Sequence, residues 1–226
     1  ITKKSYSKKI INSETFSSNT AIAYFEISKI KMYSEINESL KLILKALKLK
    51  KSFPPFVKQH LEILLKIGDR SQLLKIIRKY WLVAPNSSLR KIISSFLREN
   101  KLDDMKIINS IIKNNYNKVE SKKLIMEFAI LNSDWSLARE NTFGLIDKNP
   151  DREICELMAL LELGEFNNKQ KSDAWNLRAQ NSKFNEIWIC NISNVSQNNW
   201  SSVSDGGFFN SLEWRQPKML STTIIN

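Results

Sequence analysis

Signals that begin a helix recur along this chain at intervals close to 34 residues. An acidic residue or Asn precedes an apolar helical run at five positions separated by 34, 34, 31 and 34 residues, namely Glu35, Asp69, Asp103, Asp134 and Asn168. Oxygens of such side chains accept hydrogen bonds from the free N–H groups of a first helical turn. Proline follows Asp69 and Asp134 after 16 residues, at Pro85 and Pro150, where a helix cannot continue. This period predicts an array of repeated units.

The apolar residues between these signals are spaced as on one face of an α-helix. Leu73, Ile76, Ile77, Tyr80 and Trp81 follow the helical spacing, and the run from Leu89 to Leu97 repeats it. Each such stripe has to be covered by a neighbouring element. We therefore predict ten helices in five antiparallel pairs, over 18–33 with 35–50, 54–67 with 69–83, 86–99 with 103–116, 118–132 with 134–148, and 151–163 with 168–181.

Helix pairs of this length have the tetratricopeptide period, and stacking them buries a continuous core. The sequence thus predicts an all-α fold, a right-handed tetratricopeptide-like α-solenoid of about five helix pairs over residues 1–182. Only 5 Gly and 5 Pro are present, which leaves few tight turns for an all-β alternative. Ala138 falls where the second helix of such a repeat has a small residue, although the Trp and Gly of the first helix are not kept.

The formal charge of +12 and a pI near 9.6 are compatible with nucleic acid or an anionic membrane surface as a partner. Lysine supplies most of this charge, with 27 Lys against 8 Arg, and Arg is the better ligand for phosphate. A dedicated nucleic-acid role is therefore not the leading expectation. No apolar run approaches the roughly 20 residues that span a bilayer. Because the chain begins at Ile1 instead of Met, we expect a missing upstream segment.

No catalytic constellation is evident, and we expect a protein that is not an enzyme and holds no cofactor. Phosphate-binding glycine loops and paired-cysteine motifs are both absent from the sequence. The single histidine, His60, is the one candidate for a haem or metal ligand. It lies one turn from Phe56 and Leu64, so a packed neutral histidine is the simpler interpretation. Cys155, in an apolar helical run, is interpreted as a core residue.

The helical period ends near residue 182, and residues 183–226 form a second region rich in Asn, Ser and Trp. Its ordered landmarks are Trp188, Cys190, Trp200 and Trp214, with Gly206-Gly207 predicting a turn between two short strands. Burial of each tryptophan removes about 150–250 Å² from water. We predict a small irregular or β-structured C-terminal cap, held by these three tryptophans and folded onto the last helices.

The order Trp188-Ile189-Cys190, Trp200, then Leu212-Glu213-Trp214-Arg215 and Pro217 resembles the end of the HemY family. These are bacterial membrane proteins associated with haem biosynthesis, in which a tetratricopeptide-like array precedes W-[VI]-C-x-x-C, a second C-x-x-C and a closing L-x-W-R-x-P. The resemblance extends over residues 20 to 217 and includes 46–56, 66–81 and 132–139.

The chain departs from the family at the cysteine positions. Ser193 stands where the second cysteine is expected, and Ser204 and the Gly206-Gly207 region stand where the second pair belongs. Serine does not replace a thiolate on zinc. We therefore predict a degenerate zinc-ribbon-like motif with no bound metal, in which Cys190 is a remnant of the family pattern.

The resemblance implies a helical-repeat adaptor for protein–protein interaction, linked to late haem synthesis at the bacterial inner membrane. It further implies an N-terminal membrane anchor absent from this chain, with haem-synthesis enzymes as candidate partners and either side of the membrane left open. Two alternatives remain. One is direct haem or porphyrin binding in the groove of the solenoid, with His60 as the candidate ligand. The other is a basic surface that binds nucleic acid or anionic lipid.

Overall fold

The computed structural model describes residues 12–147 and 149–217, which form ten α-helices followed by a three-stranded sheet. It confirms the predicted all-α solenoid with a small β cap. The remaining residues of the predicted regions 1–182 and 183–226 lie outside the described part. The helices are α1 Ser13–Lys31, α2 Ile36–Leu49, α3 Pro54–Ile67, α4 Arg70–Val83, α5 Ser87–Glu99, α6 Met105–Ile112, α7 Val119–Leu131, α8 Trp135–Glu140, α9 Arg152–Phe166 and α10 Lys169–Gln180.

Side chains that cap helix N-termini account for most of the period of about 34 residues seen in the sequence. Asp69, Asp134 and Asn168 each accept a hydrogen bond from the backbone N–H three residues later, at 2.9, 3.2 and 3.0 Å. In the third pair the cap is Asp104 and not Asp103, since its carboxylate accepts from the N–H of Lys106. Glu35 occupies the cap position of α2 without a side-chain hydrogen bond.

Two predicted second helices are too long. The predicted helix 134–148 is wrong beyond Glu140, because Asn141 donates its side-chain amide to the carbonyl of Leu137 and Thr142 donates its hydroxyl to that of Arg139. The left-handed backbone of Gly144, with φ +77°, then turns the chain away. The predicted helix 103–116 is also shorter, and a 3₁₀ turn over Lys113–Asn115 follows α6.

The first helices of successive pairs stack on one another. Helix α1 contacts α3, α3 contacts α5, α5 contacts α7, and α7 contacts α9. The second helices lie behind them, with α4 against α6. We call the surface formed by α1, α3, α5, α7 and α9 the A-helix face. In solenoids of this kind the stacked helices provide an extended binding surface.

A buried ion-pair network joins three of these first helices. Arg90 of α5 is 3% exposed and contacts Glu120 at 2.9 Å, Glu127 at 3.0 Å, and Glu153. Lys123 of α7 also reaches Glu153, at 3.2 Å. Burial raises the pKa of Glu153, but Arg90 and Lys123 outweigh this effect and lower that pKa. The network therefore fixes α5, α7 and α9 relative to one another.

The last helix pair closes its end of the array without the cap. Helix α10 packs on α9 through two small buried residues, Ser172 and Ala179, and turns a mostly polar face outward. A terminal helix with a polar outer face is how repeat arrays end in solvent. Behind α9, Gly164 lies so close to Trp135 of α8 that an added Cβ would be 2.5 Å from the indole ring.

The cap (residues 187–217) folds back onto the first three helix pairs. Its antiparallel sheet has the order β2-β1-β3, formed by β1 Ile187–Cys190, β2 Ser196–Gln197 and β3 Leu212–Arg215. The expectation that it covers the last helices is wrong. Its aromatic partners lie on α1 and α3, at the opposite end of the chain.

Candidate functional site

Trp200 anchors the cap in an aromatic cluster on the A-helix face. Its ring makes edge-to-face contacts with Phe25 of α1 at 5.4 Å, and with Phe53 and Phe56 at the start of α3 at 5.2 and 5.9 Å. This geometry is favoured by the ring quadrupoles. Trp188 is buried behind Phe53, 6.0 Å from its ring centroid. The cluster brings together residues more than 140 positions apart.

Polar contacts hold the two ends of the cap. Trp214, which faces Trp188 across β1 and β3, donates its indole N–H to Ser87 at 2.8 Å and to Glu186 at 3.1 Å. At the other end, the Asn210 side-chain amide donates to Ser18 Oγ at 3.1 Å and to Asn19 Oδ1 at 2.9 Å. The cap therefore spans from α1 to α5.

A cleft of about 500 Å³ remains between the cap and the A-helix face. We call it the cap groove. Helices α3 and α5 supply one side of it, and the tryptophans of the cap supply the other. Six residues that matter for its chemistry are Lys58, Glu62, Lys91, Ile92, Trp188 and Trp200. This volume is within the roughly 300–1,000 Å³ typical of ligand pockets.

Some hydrogen-bond donors that line the cap groove have no acceptor in the described part of the chain. Within the described residues, no carboxylate lies within 4 Å of Lys91 Nζ, which sits 5.1 Å from the Trp214 ring centroid. The indole N–H groups of Trp188 and Trp200 also have no hydrogen-bond partner in the described part of the chain. Burial raises the pKa of Glu62, and Lys58, 3.9 Å away, opposes this rise only in part.

Side-chain hydrogen bonds hold the two turns in which the family resemblance predicts cysteine pairs. Cys190 Sγ accepts the backbone N–H of Ser193 at 3.4 Å and lies 3.3 Å from the Ser211 hydroxyl. In the second turn the N–H of Phe208 donates to Ser204 Oγ at 3.2 Å. Both turns are therefore held by hydrogen bonds to a side-chain sulfur or oxygen. Burial raises the pKa of the Cys190 thiol, but the bonds from Ser193 and Ser211 prevail and lower it to about 6.

The absence of a metal stays a prediction. In residues 12–147 and 149–217, no group of three or more His, Cys, Asp or Glu side chains is arranged to hold an ion. Cys155 is buried in α9 with its thiol 3.8 Å from the carbonyl of Pro150, as expected for a core residue.

His60 lies outside the cap groove. Its ring is 4% exposed, packed between α3 and α4, and its Nδ1 is 2.8 Å from the Tyr80 hydroxyl. Burial, and secondarily the charge of Lys79, lower the pKa of His60 to about 4, so the ring is neutral at pH 7. A haem iron could reach this ring only if α3 and α4 separated.

The structure brings the three predicted tryptophans together and adds groove residues that sequence reasoning missed. The cap lies opposite three helical residues and so makes them part of a cleft, namely Lys58, Glu62 and Lys91. In the sequence these lysines are indistinguishable from the other lysines on helical faces. Both phenylalanines of the Phe53-Pro54-Pro55-Phe56 segment contact Trp200.

Comparisons with known proteins do not assign this chain to a family. No protein-family profile and no curated protein matches the chain. Among solved structures, MamA 41-end from Desulfovibrio magneticus RS-1 and the MamA RS-1 ArsTM double mutant each show 12% identity and a TM-score of 0.40. Each match covers 72% of this chain, and 94% and 93% of those chains, respectively. At this TM-score the likeness carries no functional weight.

Proposed function

We propose that this chain is a non-enzymatic protein–protein interaction module that holds a segment of a partner protein in the cap groove. The observation that carries the proposal is the composite cleft of about 500 Å³, bounded on one side by stacked helices and on the other by the cap. The cap tryptophans that line the cleft suit recognition, because Trp residues are enriched among the contacts that dominate binding energy.

The chemistry of the cleft supports binding over catalysis. Its described lining combines three indole rings, Phe25 and Ile92 with lysine, glutamate, amide and hydroxyl side chains. No histidine or cysteine lines it among the described residues.

The resemblance to the HemY family extends this proposal. It rests on Trp188, Cys190, Trp214 and Pro217 in the family order, and on the helical array before them. On this basis the proposed partners are haem-synthesis enzymes at the bacterial inner membrane. None of the ten described helices is both long and apolar enough to cross a bilayer. The anchoring segment that the resemblance implies is thus proposed for the full-length protein.

Site-specific photocrosslinking in the source cell tests the proposed function. A benzophenone amino acid is placed at Ile92 or Ser95, which line the cap groove, and as a matched control at Lys75, exposed on α4. We expect one set of protein adducts from both groove positions and none of these from Lys75. Adducts that form equally at all three positions, or at Lys75 alone, would place the partner elsewhere and refute the proposal.

A further inference from the structure

We infer that the cap groove selects an acidic peptide segment that also carries apolar side chains. Carboxylates of the segment pair with Lys91 and Lys58, and its carbonyl oxygens accept from the indole N–H groups of Trp188 and Trp200. The inference rests on the proposed function and names the class of partner that the groove accepts.

The unpaired donors of the groove are the first step. An indole N–H with no protein acceptor can donate to a ligand that supplies one. Trp188 is only 5% exposed, yet its indole N–H has no acceptor among the described residues. Trp81 and Trp214, in contrast, already donate to Ser121 and to Ser87. Trp188 and Trp200, which both line the groove, thus carry indole N–H groups without an acceptor in the described part of the chain.

The charges of the groove are the second step. Of the three lysines at the cleft, Lys29 is already paired with Glu26 at 3.0 Å, outside the cleft. Lys58 is within 3.9 Å of Glu62, whereas Lys91 has no carboxylate within 4 Å in the described part of the chain. Lys91 is close enough to Glu153 to help lower the pKa of that carboxyl, but the described lining of the cleft has three lysines against one carboxylate, Glu62, and is therefore net positive. Complementary charge in the ligand is negative.

The side chains that line the groove favour a peptide over a nucleic acid as the ligand. Phosphate recognition favours the guanidinium fork of Arg, and no Arg lines the cleft among the described residues. Glu62 would also repel a phosphate backbone, while it accepts a backbone N–H of a peptide. Ile92 and the indole rings provide apolar contact for aliphatic side chains. A peptide of mixed acidic and apolar composition satisfies all of these groups.

Titration with a synthetic probe is the first test. The probe is a short fluorescent peptide of alternating Glu and Leu, and a Gln–Leu peptide of the same length is its neutral control. We expect the Glu–Leu peptide to bind the full chain, and Lys91→Gln to weaken binding roughly fivefold to tenfold. Lys75→Gln removes the same charge from the exposed surface of α4 and should weaken binding less than about twofold.

Indole resonances provide the second test, because they report on individual donors. In a ¹⁵N-labelled sample, the Glu–Leu peptide should shift the N–H signals of Trp188 and Trp200 downfield. The signal of Trp81, which is buried outside the groove and already hydrogen-bonded to Ser121, should move little. A shift at Trp81 alone, or shifts of equal size at Trp81, Trp188 and Trp200, would overturn the assignment.

Further outcomes separate this inference from the proposed function. Equal binding of the Gln–Leu and Glu–Leu peptides, or equal effects of Lys91→Gln and Lys75→Gln, overturns acidic recognition. Binding of an oligothymidylate that depends on Lys91, with none of the acidic peptide, replaces the peptide with nucleic acid. If the acidic peptide fails while cellular crosslinks stay confined to Ile92 and Ser95, the ligand class is wrong but the interaction groove stands.

Discussion

Replacing Trp200 with Ala should release the cap while leaving the solenoid folded. A buried Trp→Ala substitution costs about 3–5 kcal/mol, and each aromatic pair contributes about 0.5–1.5 kcal/mol within that range. Trp200 makes three such pairs but is only half-buried, so we take about 3 kcal/mol. Within the described residues, the buried apolar side chains of the cap are Trp188, Ile189, Cys190 and Leu212, too few to hold the segment alone.

Hydrogen exchange measures this loss directly. A decrease of about 3 kcal/mol in the free energy of cap opening corresponds to an opening equilibrium roughly 100-fold more favourable. Amides of Ile187–Cys190 and Leu212–Arg215 should therefore exchange about 100-fold faster in Trp200→Ala. Amides of α9 should keep their wild-type rates.

Trp175→Ala is the matched control. Trp175 is a half-buried indole of α10 that packs against the core of the last pairs. Its removal should speed exchange in α9 and α10 and leave the cap strands unchanged. If Trp200→Ala instead accelerated exchange in α9 and left the cap strands at wild-type rates, the docking of the cap on α1 and α3 would be refuted.

Three further predictions concern the interior and the degenerate zinc-ribbon-like motif. The pKa of His60 is about 4 in the folded protein and 6.5 when the ring is exposed, so folding favours the neutral ring. The resulting contribution to the free energy of unfolding is present above pH 6.5 and is lost as the pH falls toward 4. At pH 5 the loss is about 2 kcal/mol. Urea unfolding above pH 6.5 and at pH 5 should show this loss, and the free energy of unfolding of His60→Gln should depend less on pH. Arg90→Met should cost about 3–5 kcal/mol by removing the buried cation that contacts three carboxylates. Arg98→Met removes an arginine that is 49% exposed and pairs with Glu127 alone, so it should cost less than about 1 kcal/mol. Equal losses in urea would contradict the network. EDTA should leave the melting temperature unchanged, and release of one zinc equivalent with unfolding would refute the metal-free reading of Cys190.

The repeat architecture was predictable because its signals are local. Capping side chains such as Asp69, Asp134 and Asn168 act within one turn of their own helix, so their period survives in the sequence. The early end of α8 also had local signals, in Thr142 and Gly144. The prediction passed over them because the neighbouring pairs suggested a helix of full length.

The position of the cap was not predictable, because its partners are remote in sequence. The importance of Trp200 was expected, but nothing near it identifies Phe25 and Phe56 as the rings it contacts. The sequence likewise does not show that α10 ends the array with a polar face. Once α10 makes a cover unnecessary, the aromatic cluster on α1 and α3 becomes the larger apolar surface available to the cap.

The groove lysines illustrate a limit of sequence reasoning of another kind. Lys58 and Lys91 occupy ordinary positions on helical faces, and the chain contains 27 lysines. Their significance comes from the cap residues opposite them, which follow Lys91 by roughly 100 positions in the sequence. Such a composite site is visible only when both of its sides are placed.

Crosslinking of the cap to α1 tests the central claim most directly. A short bis-maleimide is applied to Ser18→Cys/Asn210→Cys, whose native side chains are 3.1 Å apart, and to Leu177→Cys/Asn210→Cys, which joins the cap to α10. Mass spectrometry of the digested protein should find the Ser18–Asn210 link in high yield and no link in the second variant. A link to Leu177 without one to Ser18 would place the cap on the last helices and remove the groove on which the proposed function depends.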